Sequence, residues 1–125
     1  MSVLGIGTDI VSIERIAGLL ERNPAFAERV LTPTERATFA EHRQPVAFLA
    51  KRWAAKEATA KALGTGIGEV SFQHIEVTRL PSGQPQLQLH GAAQAQATAL
   101  GATQFHLSLS DEREFAIAYV VLSAI

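Results

Sequence analysis

The chain has 125 residues, 47% of them hydrophobic and 18% charged, values that predict one globular domain over 1–125 and exclude a disordered chain. Its 11 Lys and Arg against 12 Asp and Glu leave a net charge of −1, so no global basic field attracts nucleic acid. Cysteine is absent, which excludes disulfides and thiolate metal sites, and neither a membrane span nor a secretory signal is legible; a cytoplasmic protein that binds no membrane is the expectation.

The first predicted element is a strand over Leu4–Val11, with Leu4, Ile6, Thr8 and Ile10 on one face and Gly5, Gly7 and Asp9 on the other. Ser12 is placed to cap a helix over Glu14–Arg22. Asn23-Pro24 interrupts it, and a short helix follows over Phe26–Val30. Thr32-Pro33-Thr34-Glu35 has the form of a capping box with Pro in the first turn, and predicts a helix to about His42. Pro45 opens the longest helix, which runs to Leu63, stops at Gly64, and spans about 28 Å at 1.5 Å per residue. A Gly-rich loop (Gly64, Gly66, Gly68) leads to strands near Ile75–Leu80 and Gln86–His90, joined by the turn Pro81–Pro85. A helix over Ala92–Leu100 ends at Gly101. Two last strands, near Phe105–Ser110 and Phe115–Leu122, form a hairpin about Asp111–Glu114. Strands and helices do not alternate regularly, which predicts an α+β fold whose largely antiparallel sheet wraps the long helix.

Four features could carry chemistry. Asp9 sits where a strand disfavours Asp, and its neighbours Gly5 and Gly7 are read as leaving open volume beside the carboxylate; an Asp paired with Arg or capping the strand is the plainer alternative. Trp53, Glu57 and Lys61 lie at i, i+4 and i+8 and share a helix face, where a solvated Glu57–Lys61 pair is the plainer alternative. The loop Gly64-Thr65-Gly66 could offer backbone N–H groups to phosphate oxygens, although it follows a helix C-terminus and gains nothing from the dipole. His106, Ser108 and Ser110 alternate onto one strand face, as they would also on a merely solvated one. A domain this small has little room for a deep private pocket, so a site shared between subunits is expected.

Taken together, Gly5-Ile6-Gly7-Thr8-Asp9-Ile10-Val11, the run from Phe48 through Trp53-Ala54-Ala55-Lys56-Glu57-Ala58 to Lys61-Ala62-Leu63-Gly64-Thr65-Gly66-Ile67, and His106-Leu107-Ser108-Leu109-Ser110 resemble the holo-acyl-carrier-protein synthase family, the small trimeric group of 4′-phosphopantetheinyl transferases. The resemblance covers the whole chain. It implies transfer of 4′-phosphopantetheine from coenzyme A to a serine of apo-acyl-carrier protein, with release of adenosine 3′,5′-bisphosphate, in support of fatty acid biosynthesis. It implies that Asp9 and Glu57 hold Mg²⁺, a cation that favours one or two carboxylates plus phosphate oxygens, and that Lys61 reaches the same phosphates. Arg52, Lys56, Gly64, Thr65, Gly66, His106 and Ser108 fall in segments matching the family's coenzyme A surface. Arg15 and Arg22, seven residues apart, match the helix that docks the carrier, where Ala25 replaces a basic residue of some relatives. Asp111 stands where many relatives carry His. The resemblance implies a homotrimer with coenzyme A between subunits, an arrangement in which Asp9 and Glu57 come from different chains being open to test by complementation. The competing reading is a non-catalytic module that binds a nucleotide or a carrier protein.

Overall fold

The computed structural model describes residues 1–125. The chain order is β1 (Ser2–Ser12), α1 (Ile13–Arg22), α2 (Ala25–Val30), α3 (Pro33–Glu41), α4 (Pro45–Leu63), a 3₁₀ turn (Phe72–His74), β2 (Ile75–Arg79), β3 (Pro85–Leu89), α5 (Gly91–Leu100), β4 (Gln104–Asp111) and β5 (Phe115–Ala124). Every strand pair is antiparallel, but the strands divide into two sheets: a three-stranded one in the order β1-β5-β4 and the hairpin β2-β3. β1 is longer than its apolar alternation predicts because β5 pairs with it from Ser2↔Ala124 to Ser12↔Phe115. It leads straight into α1, where the Ser12 hydroxyl accepts from the Arg15 N–H at 3.1 Å. The capping box of α3 is complete, and Gly64 (φ +80°) supplies the left-handed residue that ends α4.

α4 is the centre of the molecule. It buries Phe48, Leu49, Ala54, Ala55, Ala58 and Leu63 among others, and lies across the inner face of β1 and β5, where Val11, Ala116, Ala118, Val120 and Leu122 are buried. The two glycines of β1 belong to this packing. A Cβ at Gly7 would stand 2.0 Å from the Ala58 carbonyl oxygen, and one at Gly5 would stand 2.2 Å from that of Ala62. The volume expected beside Asp9 is therefore not open: the backbone of α4 fills it. What the glycines provide is close approach, which sets the spacing between β1 and the polar residues of α4. On the opposite face of the sheet Ile6, Ile10, Ile117 and Tyr119 stay 59%, 60%, 42% and 47% exposed.

Candidate active site

Asp9 lies on the inner face of β1, and α4 presents Glu57 and Lys61 to it. The Lys61 ammonium donates to Asp9 Oδ1 at 3.2 Å and to the Thr8 carbonyl at 3.0 Å, a carbonyl left free because β1 is a sheet edge. Asp9 Oδ2 is buried with no hydrogen-bond partner. Glu57 forms no ion pair, since Lys61 takes Asp9 instead. Burial pushes the Glu57 carboxyl above its ordinary value and the Asp9 charge pushes it further, while Lys61 and then Arg15 draw it back. Two carboxylates thus share a partly dry corner with one lysine between strand and helix. Both come from the same chain, which overturns the arrangement with Asp9 and Glu57 on different chains: the Gly5 and Gly7 contacts press β1 against its own α4.

The other expected site residues are placed differently. Trp53 is absorbed by packing, its ring 5.5 Å from Phe26 and 5.0 Å from Phe72 between centroids. Lys56 has no exposed surface, and its ammonium spends its donors on the Val30 carbonyl (2.6 Å), Glu35 Oε1 (2.6 Å) and the Phe72 carbonyl (3.1 Å). An open coenzyme A contact at Lys56 is thereby excluded, because no N–H remains and no face is accessible. Burial lowers the Lys56 pKa, and Glu35 opposes the shift. Glu35 itself is absent from the sequence-based site. The capping box discloses its bond to Thr32, but nothing local discloses a lysine 21 residues further on.

Arg52 is 3% exposed. Its guanidinium carbon lies 4.4 Å from the Phe48 ring centroid, its Nε lies 3.7 Å from Glu35 Oε2, and Nε and Nη1 have no hydrogen-bond partner. Burial brings its pKa down from the ordinary arginine value to about 10, with Glu35 working against the shift and Arg79 adding to it. Arg52, Arg79, His42, Thr34 and Thr38 line a cleft of about 390 Å³. Five residues separate Arg52 from Glu57, so the two point about 140° apart around α4 at 100° per residue.

The Gly-rich loop does not present its amides outward. The N–H groups of Thr65 and Gly66 both donate to the Ala60 carbonyl at 3.1 Å, and that of Gly64 to Lys61 at 3.0 Å. They are spent on capping α4, so phosphate binding by these three amides is not available. Thr65 and Gly66 do border a cavity of about 510 Å³ with Ala92 and Gln96. His106 and Ser108 lie on the outward face of β4, separated from β1 by β5; His106 Nε2 is 3.0 Å from Ser123 Oγ. They do not meet Asp9 within one chain. Arg15 and Arg22 flank a shallow groove along α1, as their spacing predicts. Asp111 pairs with Lys51 at 3.5 Å.

Comparison with known proteins gives a consistent answer. Residues 5–120 match the model of the 4′-phosphopantetheinyl transferase superfamily. The chain is 52% identical over 122 residues to a holo-[acyl-carrier-protein] synthase of Halorhodospira halophila, covering 96% of this chain and 97% of that one. It is 50% identical over 125 residues to its namesake in Pseudoalteromonas atlantica, covering 99% of each. Among solved structures, the holo-[acyl-carrier-protein] synthase of Neisseria meningitidis superposes with a TM-score of 0.91 at 44% identity, covering 98% of this chain and all of that one (100%). The Bacillus anthracis protein of that name, solved in complex with CoA (3′,5′-ADP), gives 0.81 at 41% identity and 96% coverage of both chains.

Proposed function

The chain belongs to the 4′-phosphopantetheinyl transferase superfamily, and we propose that its reaction is transfer of the 4′-phosphopantetheine group from coenzyme A to a serine of apo-acyl-carrier protein, releasing adenosine 3′,5′-bisphosphate. The observation that carries this reading is the convergence of Asp9, Glu57 and Lys61 where β1 is pressed on α4. The serine oxygen attacks the phosphorus next to pantetheine, the bond to the nucleotide oxygen breaks, and the serine proton must leave. Lys61, half exposed at the sheet edge, is placed to donate to the pyrophosphate. Asp9 and Glu57 are placed to hold a divalent cation or to take the serine proton through one water.

The residues fit Mg²⁺. An unpartnered buried carboxylate oxygen on Asp9 faces a second carboxylate whose proton affinity is raised, a cation-deficient corner made of hard oxygen donors. No group of three or more His, Asp and Glu is present, so two carboxylates would be the protein's share, with phosphate and water completing the shell as Mg²⁺ prefers. When bound, the ion would offset charge on the pyrophosphate as the bond breaks.

The same reading assembles the site from two subunits of a homotrimer. Arg52 with Arg79 on one side of α4, and His106 with Ser108 on the outer face of β4, lie away from Asp9 within one chain. The exposed stripe Ile6, Ile10, Ile117 and Tyr119 gives a second copy an apolar surface to cover. A neighbour docked there would supply its Arg52 cleft to the anionic nucleotide end of coenzyme A, while the pyrophosphate lies at Asp9 and Glu57. Arg15 and Arg22 would face an acidic helix of the carrier, and the reading includes a cytoplasmic role in fatty acid biosynthesis. The test is incubation with coenzyme A, Mg²⁺ and an apo-acyl-carrier protein. The carrier is expected to gain about 340 Da, one phosphopantetheine transferred whole. An unchanged carrier mass would leave a binding module.

A further inference from the structure

We propose that Lys56 is a positioning residue for Glu57: clamped by Glu35, Val30 and Phe72, its buried ammonium fixes the rotation of α4 that turns the Glu57 carboxylate toward Asp9. Glu57 forms no ion pair of its own, so the direction of its side chain is inherited from the helix that carries it. That helix is gripped from two sides within three consecutive residues. Ala58 sits against Gly7, with no room for a methyl group between them. Lys56, on the far side, reaches the last turn of α2 through Val30, the first turn of α3 through Glu35, and the 3₁₀ turn through Phe72.

The anchor is itself anchored. Glu35 Oε1 also accepts from the Thr32 N–H at 2.8 Å, and Oε2 accepts from the Val77 N–H of β2 at 2.8 Å. Five elements therefore converge on one buried pair, next in sequence to Glu57. A helix turn of 100° per residue makes the geometry unforgiving. A rotation of α4 by a fraction of that angle about its axis would swing Glu57 away from Asp9; the Ala58–Gly7 contact resists it on the sheet side and Lys56 on the other. Groups that orient a ligand without touching the ion commonly change metal affinity by about 10–100-fold when removed. Lys56 is such a group acting through the peptide backbone.

This role rests on the reading of Asp9 and Glu57 as a cation site. The test separates the two with Mn²⁺ as probe, its binding followed by electron paramagnetic resonance with coenzyme A present, alongside urea unfolding. Three proteins are compared: native, Lys56→Met, and the double variant Glu35→Gln/Lys56→Met. Lys56→Met leaves the buried Glu35 carboxylate with Arg52, 3.7 Å away, as its one remaining cation, and is expected to lose stability. The double variant removes the Glu35–Lys56 pair together and is expected to recover part of it, since Arg52 then loses its acid. Mn²⁺ binding is expected to be at least tenfold weaker in both, because neither restores the bonds from Lys56 to Val30 and Phe72. Where the single variant does not fold, the double variant decides. Affinity within twofold of native in either folded variant, or affinity that returns together with stability, would overturn the positioning role. A native protein that binds no Mn²⁺ would overturn the cation site instead.

Discussion

The two sides of α4 carry the same chemistry and treat it in opposite ways. On one side Glu35, 2% exposed, has both carboxylate oxygens engaged by Thr32, Val77 and Lys56. On the other side Asp9, its side chain 15% exposed, has one oxygen on Lys61 and one on nothing, with a second carboxylate beside it. Folding satisfies buried polar groups wherever it can. The first cluster is a finished piece of architecture, joining α2, α3, α4 and β2. The second leaves one buried carboxylate oxygen unpartnered beside another carboxylate, and the proposed cation site rests on that contrast.

The largest expected effect tests that contrast directly. Asp9→Asn and Glu57→Gln should each lower the transfer rate by about 10³-fold, on the scale of removing a group that stabilises developing charge. Stability should hold or rise, because an unpaired or crowded carboxylate is replaced by a neutral amide. Glu35→Gln should instead reduce unfolding stability by about 3 kcal/mol, the scale for breaking a buried pair. Activity at saturating Mg²⁺ and urea midpoints for the three variants make the comparison. An Asp9→Asn protein as unstable as Glu35→Gln would mean that the two sides do not differ in kind.

A second experiment asks whether the two sides of α4 meet again across a subunit boundary. Because Arg52 points away from Glu57 within a chain, an Asp9→Asn protein mixed with an Arg52→Met protein should recover activity although each alone is inactive. In a randomly mixed cyclic trimer with one intact pair per interface, about a quarter of sites are whole. Met keeps the apolar stem of Arg52 on Phe48. Mixing Asp9→Asn with Glu57→Gln should recover nothing, since both carboxylates belong to one chain. Recovery in that second mixture, or none in the first after proven subunit exchange, would refute the shared site.

Much of this is legible in the sequence alone. The cap at Ser12, the box at Thr32–Glu35, the stop at Gly64 and the long α4 are local signals, and the structure shows each of them. The alternation of β1 put Asp9 on the correct face. Three things were not legible. Glycine next to Asp9 means space or close approach equally well in a sequence, and only the position of Ala58 and Ala62 decides. Lys56 next to Glu57 looks like a second exposed charge, and only the distant Glu35 shows that it is interior. The loop amides look free until the ladder of α4 is drawn to its end at Ala60. In each case the deciding partner lies on another element, or beyond the reach of the residue pattern.

A smaller effect separates the two arginines of α1. Exposed rim charges act chiefly on association and its salt dependence. Arg22→Glu should therefore raise KM for the carrier about tenfold at low salt, shrinking at physiological ionic strength where screening acts over about 8 Å, and leave KM for coenzyme A unchanged. Arg15 differs, because its charge reaches Glu57. Arg15→Glu should add a shift in the Mg²⁺ dependence that Arg22→Glu lacks. Identical behaviour of the two variants in the metal titration would confine Arg15 to docking.

The smallest effect is a pH dependence of stability, and its sign distinguishes the two sides of α4 once more. Glu57 is held above its ordinary value of 4.5 by burial and by Asp9. The folded protein therefore binds this proton more tightly than the unfolded chain does. Below pH about 4.5 both states are protonated and Glu57 contributes no slope; as pH rises from there through the raised folded value, the native state must ionise an unfavourably placed group, and stability falls. Glu57→Gln should remove that decline. A divalent cation with coenzyme A should reverse it, because the ion binds the carboxylate form and its affinity grows as the proton leaves. The measurement is urea unfolding between pH 4 and 8 in chelator, with and without Glu57→Gln, repeated with Mg²⁺ and coenzyme A. A native stability that climbs with pH through this window in chelator, in step with the variant, would show that the corner around Asp9 is already satisfied by Lys61 and Arg15 and has no deficit for a metal to fill.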